Sequence, residues 1–328
     1  MWNMIQCAMQ GRGHIKEEIP CQDKTFLLQK DDIYLVALAD GAGSAKFSHY
    51  GAAHITQYIC HEIAENFDSY FHNEDGVAVK KEILDKIQQQ LHALAEEKQC
   101  EVRDLASTLL FAAVRGEQYL LLHIGDGVIG YSRNHELKIA SFPENGDFAN
   151  TTVFTTSRDA LQTMKLIKGS LKGIDGFILM SDGTEASLYD KRQKKLAVAL
   201  KKIIQIMAFI PENKAEERLY HSFSPILQAT TDDCSLVILA EDFRTYEGYT
   251  LLAPKEKMEF LQISSKSRRA KVRLQRYDDL LKLLETEQSA IKLSQKLRIK
   301  RKYIKRKYLN RLVSLRLAEK KEGCFIRL

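Results

Sequence analysis

Apolar residues run without a break from Ile33 to Ala39 and stop at Asp40, after which come Gly41, Ala42, Gly43 and Ser44. A run this short and this rich in aliphatic side chains predicts a buried strand. The carboxylate that ends it then stands at a sheet's rim, and the small residues beyond let a ligand approach the backbone. Upstream, Trp2 to Gln10 and Thr25 to Gln29 read as two strands around the polar loop GRGHIKEEIPCQD. Downstream, Ile55, Ile59, Ile63 and Phe67 recur every four residues and predict a helix over 51–71. Ile83, Ile87, Leu91 and Leu94 predict a second over 79–98, and both stripes read as core faces. The pattern then turns to strands: 107–114 and 118–124 as a hairpin around Arg115–Gly116, one through Tyr131, one at Thr151–Thr155, and Phe177 to Met180. A helix is predicted from Leu188 to Phe209, and Ser235 to Ala240 is the last strand. Strands, two long helices, then strands argue against alternating βαβ units and for a layered α+β fold.

Residues 243–275 carry no strong period and read as a connector. Beyond them, 277–284, 289–297 and 301–315 read as three helices, and 318–328 as a short hairpin. Arg298 to Lys300 forms the turn before the third helix, whose Ile304, Tyr308, Leu312 and Leu315 face one way while Lys302, Lys305, Arg306 and Arg311 spread over the rest. Helix, helix, turn, basic helix, hairpin resembles a winged helix-turn-helix domain over 276–328. Such a domain implies a third helix whose cations meet double-stranded DNA. A protein partner, or packing on the rest of the chain, stays open beside it.

Charge sharpens this division. The 328 residues carry a formal +6, but residues 245–328 hold about 23 Lys and Arg against about 9 Asp and Glu, leaving the remainder acidic. Two modules with different partners are expected. The six cysteines form no CxxC and no zinc spacing, and read as reduced thiols of a cytoplasmic protein. The N-terminus lacks the basic and apolar regions of a signal peptide, and no run reaches the roughly 18 apolar residues of a membrane span.

The candidate chemistry is carboxylate. Asp40 and Asp182 each follow an apolar strand and precede glycine; Asp23 and Asp232 each precede a strand; Asp126 lies between a strand and glycine. Carboxylates brought to one rim repel each other and need a cation or shared protons. Hard oxygens without His or Cys favour Mg²⁺ or Mn²⁺, and two such ions could activate a water against a phosphoryl group.

From His14 to Ala240 the chain resembles the metal-dependent protein phosphatases of type 2C, bacterial branch. The resemblance rests on CQD at Cys21–Asp23, ADGAGSAKFSHYGA at Ala39–Ala52, IGDG at Ile124–Gly127, ILMSDG at Ile178–Gly183 and TDDCSLVIL at Thr231–Leu239. It implies an αββα sandwich, two packed antiparallel sheets flanked by helices, over residues 1–243, with 244–275 as connector and 276–328 as the small basic domain. It implies two Mn²⁺ or Mg²⁺ ions and a weak third. Asp40 would bridge the two ions and Gly41 would offer its carbonyl. Asp182 and Asp232 would hold the first ion with Asp40, Asp23 would sit by the second, and Asp126 by the third. Asp233 would stand one layer behind the ions. Some members carry His directly after the DG pair; here Ala42 stands there, which leaves protonation of the leaving group unassigned. Arg12 and His14 are the candidates for the substrate phosphate.

The activity implied is hydrolysis of phosphoserine or phosphothreonine in a protein by metal-activated water, at no membrane. No Cys-x5-Arg loop, no DxDx[TV] start and no GxxxxGK[ST] loop competes with it. The alternative is a DNA-binding regulator whose phosphatase-like domain is a sensor or scaffold.

Overall fold

The computed structural model describes residues 1–143 and 152–328, and these divide into two compact units, 1–201 with 212–241, and 202–211 with 242–328. In the first unit one sheet runs β1 (Trp2–Met9), β12 (Cys234–Glu241), β9 (Ile174–Met180), β6 (Val128–Arg133), β7 (Glu136–Ser141). The other runs β2 (Lys24–Lys30), β3 (Ile33–Ala39), β4 (Leu109–Arg115), β5 (Gln118–Ile124), β8 (Lys165–Ser170). Every pairing in both is antiparallel.

Alternation along the strands builds two cores. Val36, Leu38, Leu110, Ala112, Val114 and Leu121 meet Phe177, Leu179, Val237 and Leu239 between the sheets. The opposite face of β3 and β4 (Leu35, Ala37, Phe111, Ala113) is covered by α2 (Ser48–His72) and α3 (Gly76–Lys98). Ile55, Ile59, Ile63 and Phe67 of α2, and Ile83, Ile87, Leu91 and Leu94 of α3, all lie in that core, so the four-residue stripes are core faces. On the other flank, α7 (Glu212–Ala229) lies against β1, where Glu212 and Glu216 accept from the backbone N–H of Met4 and Gln6. Two antiparallel sheets between helices is the layered α+β fold read from the sequence.

Several elements differ from the reading. The loop after β1 contains a short helix, α1 (Arg12–Glu17). Residues 153–155 are not in a strand, Thr151 lies outside the described residues, and a short helix, α4 (Ala160–Thr163), follows. The helix expected from Leu188 to Phe209 is interrupted: α5 (Asp182–Leu188) ends there, and the turn KRQK joins β10 (Tyr189–Asp190) to β11 (Lys195–Leu196) before α6 (Val198–Met207) begins.

The second unit contains α8 (Tyr246–Thr250), α9 (Pro254–Phe260), α10 (Ala270–Leu283), α11 (Ala290–Leu297), α12 (Arg301–Ile304) and α13 (Asn310–Ser314). A π-helical turn, Lys305–Leu309, joins the last two. A three-stranded antiparallel sheet orders β13 (Gln288–Ser289), β15 (Cys324–Arg327), β14 (Ala318–Lys321). Its core includes Leu280, Leu281, Leu293, Ile304, Tyr308, Leu309, Leu312 and Phe325. Residues 244–275, expected as a connector carrying some structure, include α8 and α9, and Tyr249 of α8 is 1% exposed and donates to Asp278 Oδ1 at 2.8 Å. Among the described residues no helix is long and apolar enough to cross a membrane.

Candidate active site

Strand register gathers the aspartates. β2 begins where β3 ends, with Lys24 opposite Ala39, so Asp23 and Asp40 flank one rim. In the facing sheet Met180 ends β9 opposite Leu236 of β12 and Val128 of β6. Asp182, Asp232 and Asp126 therefore leave their strands at one end of that sheet. Met9 pairs with Cys234, which brings the Gly11–His14 turn to the same end.

The backbone at this rim is held tightly. Thr108 clamps Asp40 from both sides: its Oγ1 accepts from the Asp40 N–H at 2.9 Å, and its own N–H donates to the Asp40 carbonyl at 2.8 Å. Asp182 accepts from the Gly183 N–H at 2.6 Å at the start of α5. A Cβ on Gly183 would lie 2.1 Å from the Asp233 carbonyl oxygen, and one on Gly11 2.3 Å from that of Asp232. Only glycine lets these turns close on the Asp232–Asp233 pair.

Side-chain roles separate cleanly. Asp233, 2% exposed, accepts from the Gly11 N–H at 2.7 Å and the Gln22 N–H at 2.6 Å, and lies 2.9 Å from His14 Nδ1. It ties the two loops to β12. Asp232 is exposed; its Oδ1 receives the Asp233 N–H at 2.9 Å, and its charge acts on Asp40 and Asp182. Asp23, 1% exposed, accepts from Ser181 Oγ at 2.8 Å, while its Oδ1 has no partner among the described residues. Asp126 accepts from Thr152 Oγ1 and faces Asp182 and Glu185.

Electrostatics follow from burial. Removal from water pushes the Asp23 carboxyl up to about 7, with Asp233 adding to the rise. Burial, then repulsion from Asp23 and Asp182, holds the Asp40 carboxyl far above its ordinary range, and it lies within hydrogen-bonding reach of Asp182. Burial and the charges of Asp126 and Asp232 raise Asp182 too. These carboxyls cannot all ionise without a cation. The donor set is oxygen alone, and the buried, unpartnered Asp23 Oδ1 adds a further ligand atom; both fit Mg²⁺ or Mn²⁺. Among the described residues, however, no three His, Cys, Asp or Glu side chains form a finished coordination shell.

Other residues fall out differently. His14 is engaged with Asp233, whereas Arg12 is exposed and spends its Nε–H on the Thr230 carbonyl at 3.3 Å. Gly41 is buried and bridges to Ser107. Ser48 is neither a surface residue nor a capping side chain: it is fully buried and its Oγ accepts from Gln22 Nε2 at 2.9 Å. Burial pushes the Cys21 and Cys234 thiols up to about 12, so neither beside the cleft is a ready nucleophile. Sequence reasoning missed Glu185, which is 1% exposed, raised by burial, and paired with Lys191 at 2.8 Å. It stands three residues after Asp182 on α5, a helical spacing that could have flagged it. In the second unit Lys302, Lys305 and Arg306 are exposed, but Arg311 is half-buried.

Comparison with known proteins agrees with this geometry. Serine/threonine-protein phosphatase 3 of Escherichia coli K12 is 29% identical over 169 residues, 50% of this chain and just under two thirds (66%) of that protein. A crystal structure of a bacterial serine phosphatase superposes with a TM-score of 0.53 at 15% identity, covering 73% of this chain and 98% of that one. The S. agalactiae serine/threonine phosphatase gives 0.51 at 11% identity, covering 73% and 99%. These two likenesses are of fold. A family profile described as Protein phosphatase 2C matches residues 10–222, well over half of the sequence. With that match, which takes in Asp23, Asp40, Asp126 and Asp182, the chain belongs to the protein phosphatase 2C family.

Proposed function

We propose that this protein hydrolyses phosphoserine and phosphothreonine esters of protein substrates at the cleft formed by Asp23, Asp40, Asp182 and Asp232. The observation that carries the reading is the mutual repulsion of Asp40, Asp182, Asp23 and Asp232 at one rim, which a divalent cation relieves. Asp40, the Gly41 carbonyl, Asp182 and Asp232 would hold one Mn²⁺ or Mg²⁺, Asp40 and Asp23 a second, and Asp126 a weak third. Two such ions supply an activated water and charge stabilisation for in-line attack on phosphorus. The chain's own part is positional. Thr108 fixes the Asp40 backbone, Gly183 fixes Asp182, and Asp233 holds the Gly11–His14 and Gln22 segments beside the cleft. Arg12, exposed there, is the available cation for the substrate's phosphate.

The test is hydrolysis of p-nitrophenyl phosphate. Turnover should require Mn²⁺ or Mg²⁺, and Asp40→Asn should lower it by about 100-fold or more, since even residues supporting metal ligands cost about 10–100-fold. Turnover unaffected by chelation would remove the assignment. Six free cysteines support a reducing, cytoplasmic setting.

For the second unit we infer a winged helix-turn-helix. Its order of helix, short strand, two helices and hairpin (α10, β13, α11, α12, β14, β15) supports this, as do the exposed Lys302, Lys305 and Arg306. A duplex-binding role predicts affinity that falls steeply with salt and flattens in Lys302→Gln/Lys305→Gln. A flat salt profile would leave a protein partner.

A further inference from the structure

The second unit holds a pocket of about 400 Å³ whose wall is cationic. Arg273 of α10, Arg306 and Lys307 of the π turn and Arg311 of α13 line it, with Gln262 and Asn310 adding amide donors. None of its lining residues is acidic. Two guanidinium atoms, Arg273 Nε and Arg311 Nη2, are shielded from solvent and have no acceptor among the described residues. Withholding acceptors from buried charged donors is costly, and such donors are seldom left unmatched without a reason. The π turn is a second, independent sign. It inserts an extra residue per turn at Lys305–Leu309, and turns of this kind recur at functional sites. Here it coincides with the stretch that brings Arg306 and Lys307 to the pocket. Tyr277, on the same wall, donates to the Lys307 carbonyl at 2.9 Å and holds that turn in place.

We propose that this pocket binds a phosphoryl group carried on a protein segment, as a recognition site outside the acidic cleft. Guanidinium forks match phosphoryl oxygens in geometry and charge, and the shielded donors of Arg273 and Arg311 have an acceptor to gain from such a group. The choice of a phosphoprotein over another phosphate source rests on the phosphatase reading above. Docking a phosphorylated segment here would hold a multiply phosphorylated substrate on the enzyme.

The full chain, in EDTA so that turnover plays no part, would be titrated into a fluorescein-labelled peptide bearing one phosphothreonine, and into its unphosphorylated twin. The phosphopeptide should bind at least about tenfold more tightly, and inorganic phosphate should compete. Arg273→Gln should lose most of that preference and Arg273→Lys should recover only part, because lysine cannot offer the fork. Should Arg273→Gln fail to fold, the exposed Arg306→Glu gives the same reading. Equal binding of the two peptides would overturn the proposal. So would inorganic phosphate binding without phosphopeptide binding, or a 20-base-pair duplex that binds more tightly and loses affinity in Arg273→Gln. Binding that survives while hydrolysis is absent in Mn²⁺ would sink the catalytic reading and leave this one.

Discussion

Adjacent aspartates take opposite jobs in this protein. Asp233 is buried and consumed by two backbone N–H groups and an imidazole, whereas Asp232 is exposed and faces Asp40 and Asp182. Asp233→Ala should therefore cost about 3 kcal/mol in urea unfolding, because it strands two buried donors. Asp232→Asn should leave unfolding nearly unchanged while raising the Mn²⁺ concentration needed for half-maximal turnover by about tenfold or more. The resemblance sets Asp232 with the other carboxylates and Asp233 behind them, but the residues TDD alone do not order the pair, because no local pattern encodes burial. His123 gives a residue-scale test of pH. Its ring is buried between Ser141 Oγ at 2.6 Å and the Gly125 carbonyl at 3.0 Å, and burial lowers its pKa to about 3 from 6.5. Above pH 6.5 neither state carries the proton, so nothing is lost. Below it the unfolded chain takes up a proton that the folded chain refuses, and stability falls until the pH approaches about 3. Between pH 7 and about pH 5 the wild type should lose about 2 kcal/mol more than His123→Gln, measured by urea unfolding at each pH.

At the scale of elements, what was legible depended on burial of whole faces. β3, α2 and α3 announce themselves because each buries a continuous apolar run or stripe. β7 and β8 do not: they are the edge strands of their sheets, half-buried, with Lys165 and Lys168 on β8 as edge strands often carry. α7 is hidden by its charged first half and by Pro225 within it. The rim was legible because strand ends carry its residues, whereas Glu185 lay one helical turn into α5 and escaped. That turn makes its own prediction. In Gly183→Ala the added methyl meets the Asp233 carbonyl, so α5 must move away from β12. The variant should melt several degrees lower and lose most metal-dependent turnover, whereas alanine at the unobstructed Gly76 should do neither.

For the whole molecule, the division of charge in the sequence anticipated a basic second unit, but not where the chain enters it. Residues 244–275 looked like a connector because short helices of five and seven residues leave no period to read. Tyr249 and its bond to Asp278 place them inside the unit. Truncation after residue 275 should consequently leave the buried Tyr249 of α8 without Asp278 and the rest of α10. The product should aggregate or bind a hydrophobic dye, seen by light scattering and dye fluorescence, and so would not report on the tail's ligand. Removal of single cations is the sounder route.

The chain leaves its first unit at residue 201, returns at 212 and leaves again after 241. Three covalent threads therefore join the halves. A protease nick between 201 and 202, or between 211 and 212, leaves residues 242–328 tethered through 212–241, whereas a nick after 241 severs them. Recombination that transplants the basic half as a cassette from residue 242 onward would leave the ten residues 202–211 behind, so the cassette would arrive incomplete.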